Sequence, residues 1–438
     1  MSASPDFNTL DEWIAWLEQA HPIHQIELGL SRIEKVARSL GLLEFNAPVI
    51  TIAGTNGKGT VVATLESLAI EHNLSVASYT SPHLLKFNER VKLNGQPVSD
   101  DLLVSAFRHI ALHQKDVPLT YFEFTTLVAF WIFKQQELDL VVLEVGLGGR
   151  MDAVNIIDAN VAVITSIALD HVDWLGDTLE KVAHEKAGIM RSEKPAIIAD
   201  SETESLLLPE VSARQAKGVI AQLDYQYEDL GAEWTFTSVV EGQKLFINGL
   251  VNNDLLVSNL ASALQAFLLV FPSKVNPERI RAAYQHLQFI GRFQYLSKAP
   301  IVIVDVAHNP DSAKVLNQKL KQLKGRGVEH ITAICGMLKD KDVAGSLAHC
   351  ATVDQWSCID LPGPRGTKGE ELLDKLPEKS RKDAKSYHLL VDALDEYWQH
   401  QRQNDALVVF GSFVTVAMML ETWPRFSQRN ARTTKQVK

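Results

Sequence analysis

Between a β-rich run, PVITIAG, and a helix-like run, TVVATLESLAIEH, lies the string Gly54-Thr55-Asn56-Gly57-Lys58-Gly59-Thr60. Glycines at such a junction let successive backbone N–H groups turn inward. The helix that follows adds the positive end of its dipole, and a lysine can reach the outer phosphates. The string therefore predicts a triphosphate cradle. It departs from the general G-x-x-x-x-G-K-S/T pattern, because Gly59 follows Lys58 and the hydroxyl comes at Thr60. An ordinary glycine turn is the competing reading, and the strand before and helix after count against it.

A phosphate cradle alone does not specify a reaction, so other residues must. Glu144 ends the strand-like LDLVVLEVG, and Asp170 and His171 follow the strand-like NVAVITSIAL. All three belong where parallel strands deliver ligands to the carboxyl edge of a sheet, and a carboxylate with an imidazole there suits a cation between phosphates. Taken singly, Glu144 reads equally as a salt-bridged or capping acid and His171 as a packed loop residue. A histidine is an unusual magnesium ligand and hints at a second metal position. Thr80-Ser81-Pro82-His83 follows SVASY and offers a hydroxyl to the metal or to a cap. Thr120-Tyr121-Phe122-Glu123-Phe124-Thr125-Thr126 sets two aromatics beside an acid, a stacking surface for a flat heterocycle or simply core. Farther on, Asp305 and His308 lie just past a strand and Arg292 sits in a linking segment, where an interdomain salt bridge competes with nucleotide contact.

The elements that position these residues can be read from periodicity. Residues 10 to 43 read as helical, broken at His21-Pro22, with Leu10, Ile14 and Leu17 on one stripe and Leu28 to Leu43 starting another. From Ala47, short β-rich runs alternate with helical ones, which predicts α/β layering on a mostly parallel sheet. Near Gln288 the segment FIGRFQYLSKAP opens a fresh series: PIVIVDVAH, HITAICGM and ALVVFGS as strands, with helices after each. Asn309 before Pro310 reads as an N-cap followed by proline at the first helical position. The expected architecture is an α/β chain: a P-loop-type, mostly parallel sheet domain over residues 1–290, then a smaller Rossmann-like domain over 296–438. The basic tail from Arg425 reads as a frayed terminus.

Composition narrows the class. The chain has 438 residues, 46% of them hydrophobic, enough for two cores, and a formal charge of -10 that argues against a general grip on nucleic acid. Cys335, Cys350 and Cys358 are odd in number and wrongly spaced for a disulfide framework or a zinc knuckle, which fits a reducing cytosol. The acid-bearing start resembles no signal peptide, and no window approaches the ~20 apolar residues of a membrane span. A soluble, cytoplasmic monomer without membrane or nucleic-acid partners is the expectation.

Eleven ordered blocks, from LGLSRIEKVARSLG and AGTNGKGT through TSPHL with FNERV, TYFEFTT, LEVGLGGRMDAVN, ITSIALDHVDWLGDTLEKVAHEKAGI, GRFQ, DVAHNP, GMLKDKD and GPRGTKGE to GSFVTV, resemble the folate branch of the Mur ligase superfamily, the bifunctional dihydrofolate synthase/folylpolyglutamate synthase family. The resemblance implies that Thr55, Asn56, Gly57, Lys58, Gly59 and Thr60 hold ATP phosphates, and that Ser81, Glu144 and His171 bind magnesium. It further implies that Lys186 of HEKAGI carries a carbamate that helps hold a second ion, since a plain lysine would repel the metal. Lys58, His171 and Lys186 would be the catalytic set. Asn259, Arg292, Asp305 and His308 would complete the ATP site. The pteroate would lie against Glu27, Leu28 and Gly29, Thr120 to Glu123 (Thr120, Tyr121, Phe122, Glu123), and Met151, Asp152 and Ala153. Val154 and Val414 replace the threonine and histidine usual in the family, so contacts from those side chains are not carried over.

The implied reaction joins L-glutamate to dihydropteroate and to reduced folates by way of an acyl phosphate, with ATP contacts from both domains requiring closure. A monofunctional folylpolyglutamate synthase is one alternative. A peptidoglycan-precursor ligase is another, but it would need a uridine-nucleotide domain before Gly54, where little chain precedes. A non-catalytic nucleotide-binding regulator would bind ATP without releasing phosphate.

Overall fold

The structure, a computed structural model, describes residues 6–21, 27–287, 289–402 and 404–436, with side chains described through Ser427. It divides into two compact units, Met1–Gln288 and Phe289–Lys438. Gln288, on which the sequence centres its boundary, lies outside the described residues.

The first unit is built on eight strands: β1 (Val49–Ala53), β2 (Val76–Tyr79), β3 (Val91–Leu93), β4 (Gln96–Pro97), β5 (Leu140–Glu144), β6 (Val161–Ile164), β7 (Pro195–Ile198) and β8 (Lys217–Ile220). Their order is β4-β3-β2-β5-β1-β6-β7-β8. β1 and β5 are buried at every residue, as strands covered by helices on both faces must be, and this is why they read as unbroken apolar runs. β1 runs parallel to β5 and β6, with Ile52 opposite Glu144 and Ala53 opposite Ile164. β2 runs parallel to β5, with Tyr79 opposite Leu143. This register brings the ends of β2, β5, β1 and β6 to one edge, so Ser81, Glu144, the Gly54 loop and the segment leading to His171 leave the sheet side by side. β3 alone runs against the others, pairing antiparallel with β2 on one side and, in a short hairpin, with β4 on the other.

The helix Tyr121–Lys134 packs deep in this unit, with Phe124, Phe130 and Phe133 fully buried. Replacing one such ring by alanine costs roughly 3–5 kcal/mol. The N-terminal helical region is shorter than its periodicity suggests, comprising Leu10–Ala20 and Ser31–Ser39. Leu40 and the left-handed Gly41 end the second helix before Leu43. A three-stranded antiparallel sheet of β9 (Gln226–Asp229), β10 (Glu233–Val240) and β11 (Gln243–Val251) was not anticipated from the sequence.

The second unit is a six-stranded mixed sheet: β12 (Gln294–Lys298), β13 (Ile301–Asp305), β14 (His330–Cys335), β15 (Gln355–Ile359), β16 (Lys385–Tyr387) and β17 (Asp405–Phe410). The order is β12-β13-β17-β14-β15-β16, with β12 alone antiparallel. Asn309 caps the helix Pro310–Gly325 through its side chain, as the Asn-Pro pair predicts. The backbone of 425–436 departs from the frayed tail expected of it, continuing the helix Phe413–Gln436. No helix among the described residues is long and apolar enough to cross a membrane.

Candidate active site

The loop after β1 is held to the loop after β6 by a set of short hydrogen bonds. Thr55 donates its N–H to Ser166 O at 2.8 Å, and its hydroxyl both donates to Ala168 O and accepts from Ala168 N, each at 3.0 Å. Asn56 N–H donates to Ser166 Oγ, and Thr165 Oγ1 donates to Asn56 O at 2.6 Å. Lys58 opens the helix Lys58–Glu71 and folds its ammonium back over the loop, donating to Gly54 O at 2.8 Å and Thr55 O at 3.3 Å. A lysine so placed satisfies itself on carbonyls until a phosphate offers better acceptors. Gly59 lies in the first helical turn, where the earliest backbone N–H groups lack intrahelical partners, whereas Thr60 N–H already donates to Gly57 O at 3.0 Å.

Two strands away, Ser81 N–H donates to Glu144 Oε2 at 3.3 Å, so the two sequence-distant residues proposed for the cation meet. Glu144 is buried, and a carboxylate taken out of water needs cations or donors around it. His171 is half-buried in a left-handed backbone conformation (φ 52°) that caps the short helix Val172–Leu175, and its N–H is accepted by Asp170 Oδ1 at 2.9 Å. A non-glycine residue held there carries strain of the sort functional loops retain. Asp170 Oδ2 lies 4.0 Å from His171 Nε2. Among the described residues, no three His, Cys, Asp or Glu side chains gather into a self-sufficient metal cluster. The oxygen donors of Ser81 and Glu144 suit magnesium, which keeps waters and takes further oxygens from bound phosphates.

Lys186 is 4% exposed, on the helix Leu179–Ala187. Burial lowers its amine pKa to about 7, assisted by the positive charge of Lys58 and opposed by Asp170 and Asp152. Lys58, Lys186, Asp152 and Asp170 thus share one electrostatic neighbourhood. The GLGGR segment packs directly on this helix: a Cβ on Gly149 would stand 2.8 Å from Glu185 O and 2.9 Å from Lys186 O. Asp152 accepts from the N–H groups of Gly146, Leu147 and Val154 at 3.0, 2.9 and 3.0 Å, so its carboxylate folds this loop and presents Met151 and the buried Ala153. Burial pushes the Asp152 carboxyl up to about 6.

The segments expected to line the pteroate come together through Arg32. Its guanidinium donates to Glu123 Oε2 at 3.2 Å and to Glu27 O at 3.0 Å, and pairs with Glu27 Oε2 at 3.0 Å. Glu123 also closes a capping box, accepting from Thr120 N at 2.7 Å while Thr120 Oγ1 accepts from Glu123 N. Leu28 and Gly29 follow Glu27 directly, and Phe122 is half-buried with its ring centroid 5.9 Å from Tyr79. Burial raises the Tyr121 hydroxyl to about 12. Asn259, 5% exposed on the helix Val257–Val270, lies against Gly57.

In the second unit, Asp305 accepts from Phe293 N and Ala307 N, both at 2.8 Å, tying the turn that carries the half-buried Arg292 to the end of β13. His308 hydrogen-bonds Val306 O through Nδ1 at 2.7 Å, which fixes the tautomer with its proton on Nδ1.

Sequence reasoning missed Arg90. This arginine is 3% exposed, donates from Nε to His83 Nδ1 at 2.8 Å, and lies over the rings of Phe87 and Tyr121 at 5.7 and 5.8 Å. It forms no ion pair among the described residues. Burial and the Arg90 charge lower His83 to about 4, so the imidazole is neutral and accepts the bond. The FNERV block contained the signal, but nothing in its spacing marks the arginine as buried.

Residues 52–264 match the Mur ligase middle domain, and residues 291–413 match the Mur ligase glutamate ligase domain. A dihydrofolate synthase/folylpolyglutamate synthase of Escherichia coli is 42% identical over 424 residues, 96% of each chain. One from Haemophilus influenzae is 39% identical, covering 93% of this chain and 96% of the other. Among solved structures, E. coli FolC in complex with DHPP and ADP superposes with a TM-score of 0.90 at 40% identity, covering 96% of this chain and 99% of that one. The bifunctional enzyme from Yersinia pestis complexed with AMPPNP and Mn gives 0.86 at 38%, covering 95% and 98%. The chain belongs to the dihydrofolate synthase/folylpolyglutamate synthase family.

Proposed function

We propose that this protein is an ATP-dependent ligase that joins L-glutamate to dihydropteroate, giving dihydrofolate, and to reduced folates, giving folylpolyglutamates. The observation that carries the reading is the convergence of Lys58, Ser81, Glu144 and the His171 loop on one sheet edge, in a chain whose relatives bear that name over nearly full length. Thr55 to Thr60 hold the phosphates of ATP, with Asn259 beside them. Ser81, Glu144 and His171 hold magnesium, which supplies charge neutralisation at the phosphoryl oxygens. Lys186, its amine pulled toward neutrality, adds to carbon dioxide; the nitrogen lone pair forms the N–C bond, a proton leaves to solvent, and an anionic carbamate replaces a cation.

Glu27 to Gly29, Thr120 to Glu123 and Met151 to Ala153 form the wall for the pteroate, with Arg32 joining the first two segments. Arg90, a buried cation with no carboxylate paired to it among the described residues, receives the acid end of that substrate. That carboxylate attacks the γ-phosphorus, ADP leaves, and Lys58 neutralises charge on the oxygens in flight. The glutamate amine then attacks the acyl carbon, and phosphate departs as the amide forms. No protein nucleophile is needed. For Arg292, Asp305 and His308 the resemblance alone assigns nucleotide contacts. Three free, buried cysteines fit a reducing cytoplasm.

Purified protein supplied with ATP, Mg2+ and L-glutamate tests the reading. Phosphate release with both dihydropteroate and tetrahydrofolate, and a product heavier by one glutamyl unit, is expected. Release with tetrahydrofolate alone reduces the function to the single activity, and release with neither overturns it.

A further inference from the structure

We infer that Glu89 is a positioning residue that holds the Ser81 loop in the shape that binds the catalytic metal; this rests on the assignment of Ser81 and Glu144 above. The turn Phe87–Arg90 is anchored from below by Phe87, buried in the core, and by Asn88, whose amide donates to Val98 O at 2.8 Å and Asp100 Oδ1 at 2.7 Å. From that fixed base the Glu89 carboxylate gathers three consecutive backbone N–H groups of the loop. Leu84 N donates to Oε2 at 2.7 Å, while Leu85 N and Lys86 N donate to Oε1 at 2.9 and 2.8 Å. No strand or helix satisfies these amides, so the carboxylate takes the place of a partner strand.

The near side of the loop is fixed by the same turn. Thr80 N donates to Arg90 O at 2.9 Å, Thr80 Oγ1 donates to Glu89 O at 3.2 Å, and Arg90 holds His83. Ser81 therefore lies between two clamped points, and its N–H reaches Glu144. Only an ionised carboxylate can accept all three amides at once, because an amide side chain would turn its NH2 toward N–H donors. Charge-assisted bonds of this kind are also the stronger ones.

Glu89→Gln is expected to weaken Mn2+ binding, followed by electron paramagnetic resonance of the protein with a non-hydrolysable ATP analogue, by about tenfold or more, the scale of lost support behind metal ligands. The Mg2+ concentration giving half-maximal phosphate release rises in parallel, while the KM for dihydropteroate stays within about twofold of the parent. Glu89→Asp, which keeps the charge but shortens the reach, falls between. Unchanged Mn2+ affinity in folded Glu89→Gln overturns the inference. So does failure of both variants to fold, since Glu89 would then support the whole unit rather than the loop. The Mn2+ titration needs no turnover, so a parent protein that binds Mn2+ with nucleotide but forms no amide fails the functional reading alone.

Discussion

The side-chain amide of Asn259 occupies the space a Cβ on Gly57 would need: that carbon would stand 2.4 Å from Asn259 Nδ2 and 2.6 Å from Oδ1. Gly57 also sits at φ 92°, a left-handed conformation that costs an L-residue roughly 1–2 kcal/mol. Gly57→Ala must therefore either push Asn259 aside or reshape the turn ahead of Lys58. Nucleotide affinity, measured by calorimetry with ADP, is expected to fall at least about tenfold, the equivalent of that strain. Gly57→Ala made in an Asn259→Ala background should cost less affinity than Gly57→Ala in the parent, because the clash is gone and only the backbone term remains. Equal losses in the two backgrounds would show that the clash contributes nothing.

The buried amine of Lys186 makes a prediction with a definite sign. Its folded pKa is about 7 against 10.5 for a free lysine, so between those values the unfolded chain binds the extra proton. Unmodified protein should become more stable as pH rises from 7 toward 10.5, and Lys186→Met should lose that slope. Denaturation in CO2-free buffer at several pH values measures it. The same depressed pKa leaves much of the amine neutral near pH 8, the form that adds CO2. Activity should thus decline after exhaustive CO2 removal and return with bicarbonate, more completely at pH 8 than at pH 6. Lys186→Met should be inactive with or without bicarbonate.

The legible and illegible parts of this protein differ in physical kind. The runs VITIA and LVVLE announced β1 and β5 because strands covered on both faces must be apolar throughout. The Gly54–Thr60 loop announced itself because its glycines and lysine are local. The sheet β9–β11 was missed because its alternation is half solvated and includes Thr, Lys and Gln, a weak signal beside strongly apolar neighbours. Arg32 and Arg90 were missed for another reason. Each is an ordinary charged residue in sequence, and its importance arises only from partners, Glu123 at a separation of 91 residues and buried aromatic rings. Asp152 adds a role invisible in sequence: the resemblance places it among the pteroate contacts, and its carboxylate also folds its own loop by accepting from three backbone amides.

Glu123 offers the sharpest separation of substrate positioning from nucleotide chemistry. Its carboxylate is 3% exposed, and Oε2 accepts from both Arg32 Nε and Thr120 N, so one atom ties the segment beginning at Glu27 to the helix Tyr121–Lys134. Glu123→Gln keeps the volume and removes the charge. The Arg32 guanidinium then loses its buried counter-ion and is left with the exposed Glu27, an exposed pair worth only about 0–1 kcal/mol. Breaking a partly buried, hydrogen-bonded ion pair from one side costs more, about 2–3 kcal/mol where one partner retains some solvent. If Glu27 to Gly29 and Thr120 to Phe122 form the pteroate wall, the KM for dihydropteroate should rise by about ten- to hundredfold, matching that energy. The KM for ATP should stay near its original value, because no Glu123 bond reaches the Gly54 loop. Arg32→Met should reproduce the effect, and the two substitutions combined should cost little more than either alone, since they remove the same link. Additive losses would mean that Arg32 and Glu123 meet the substrate independently rather than through each other.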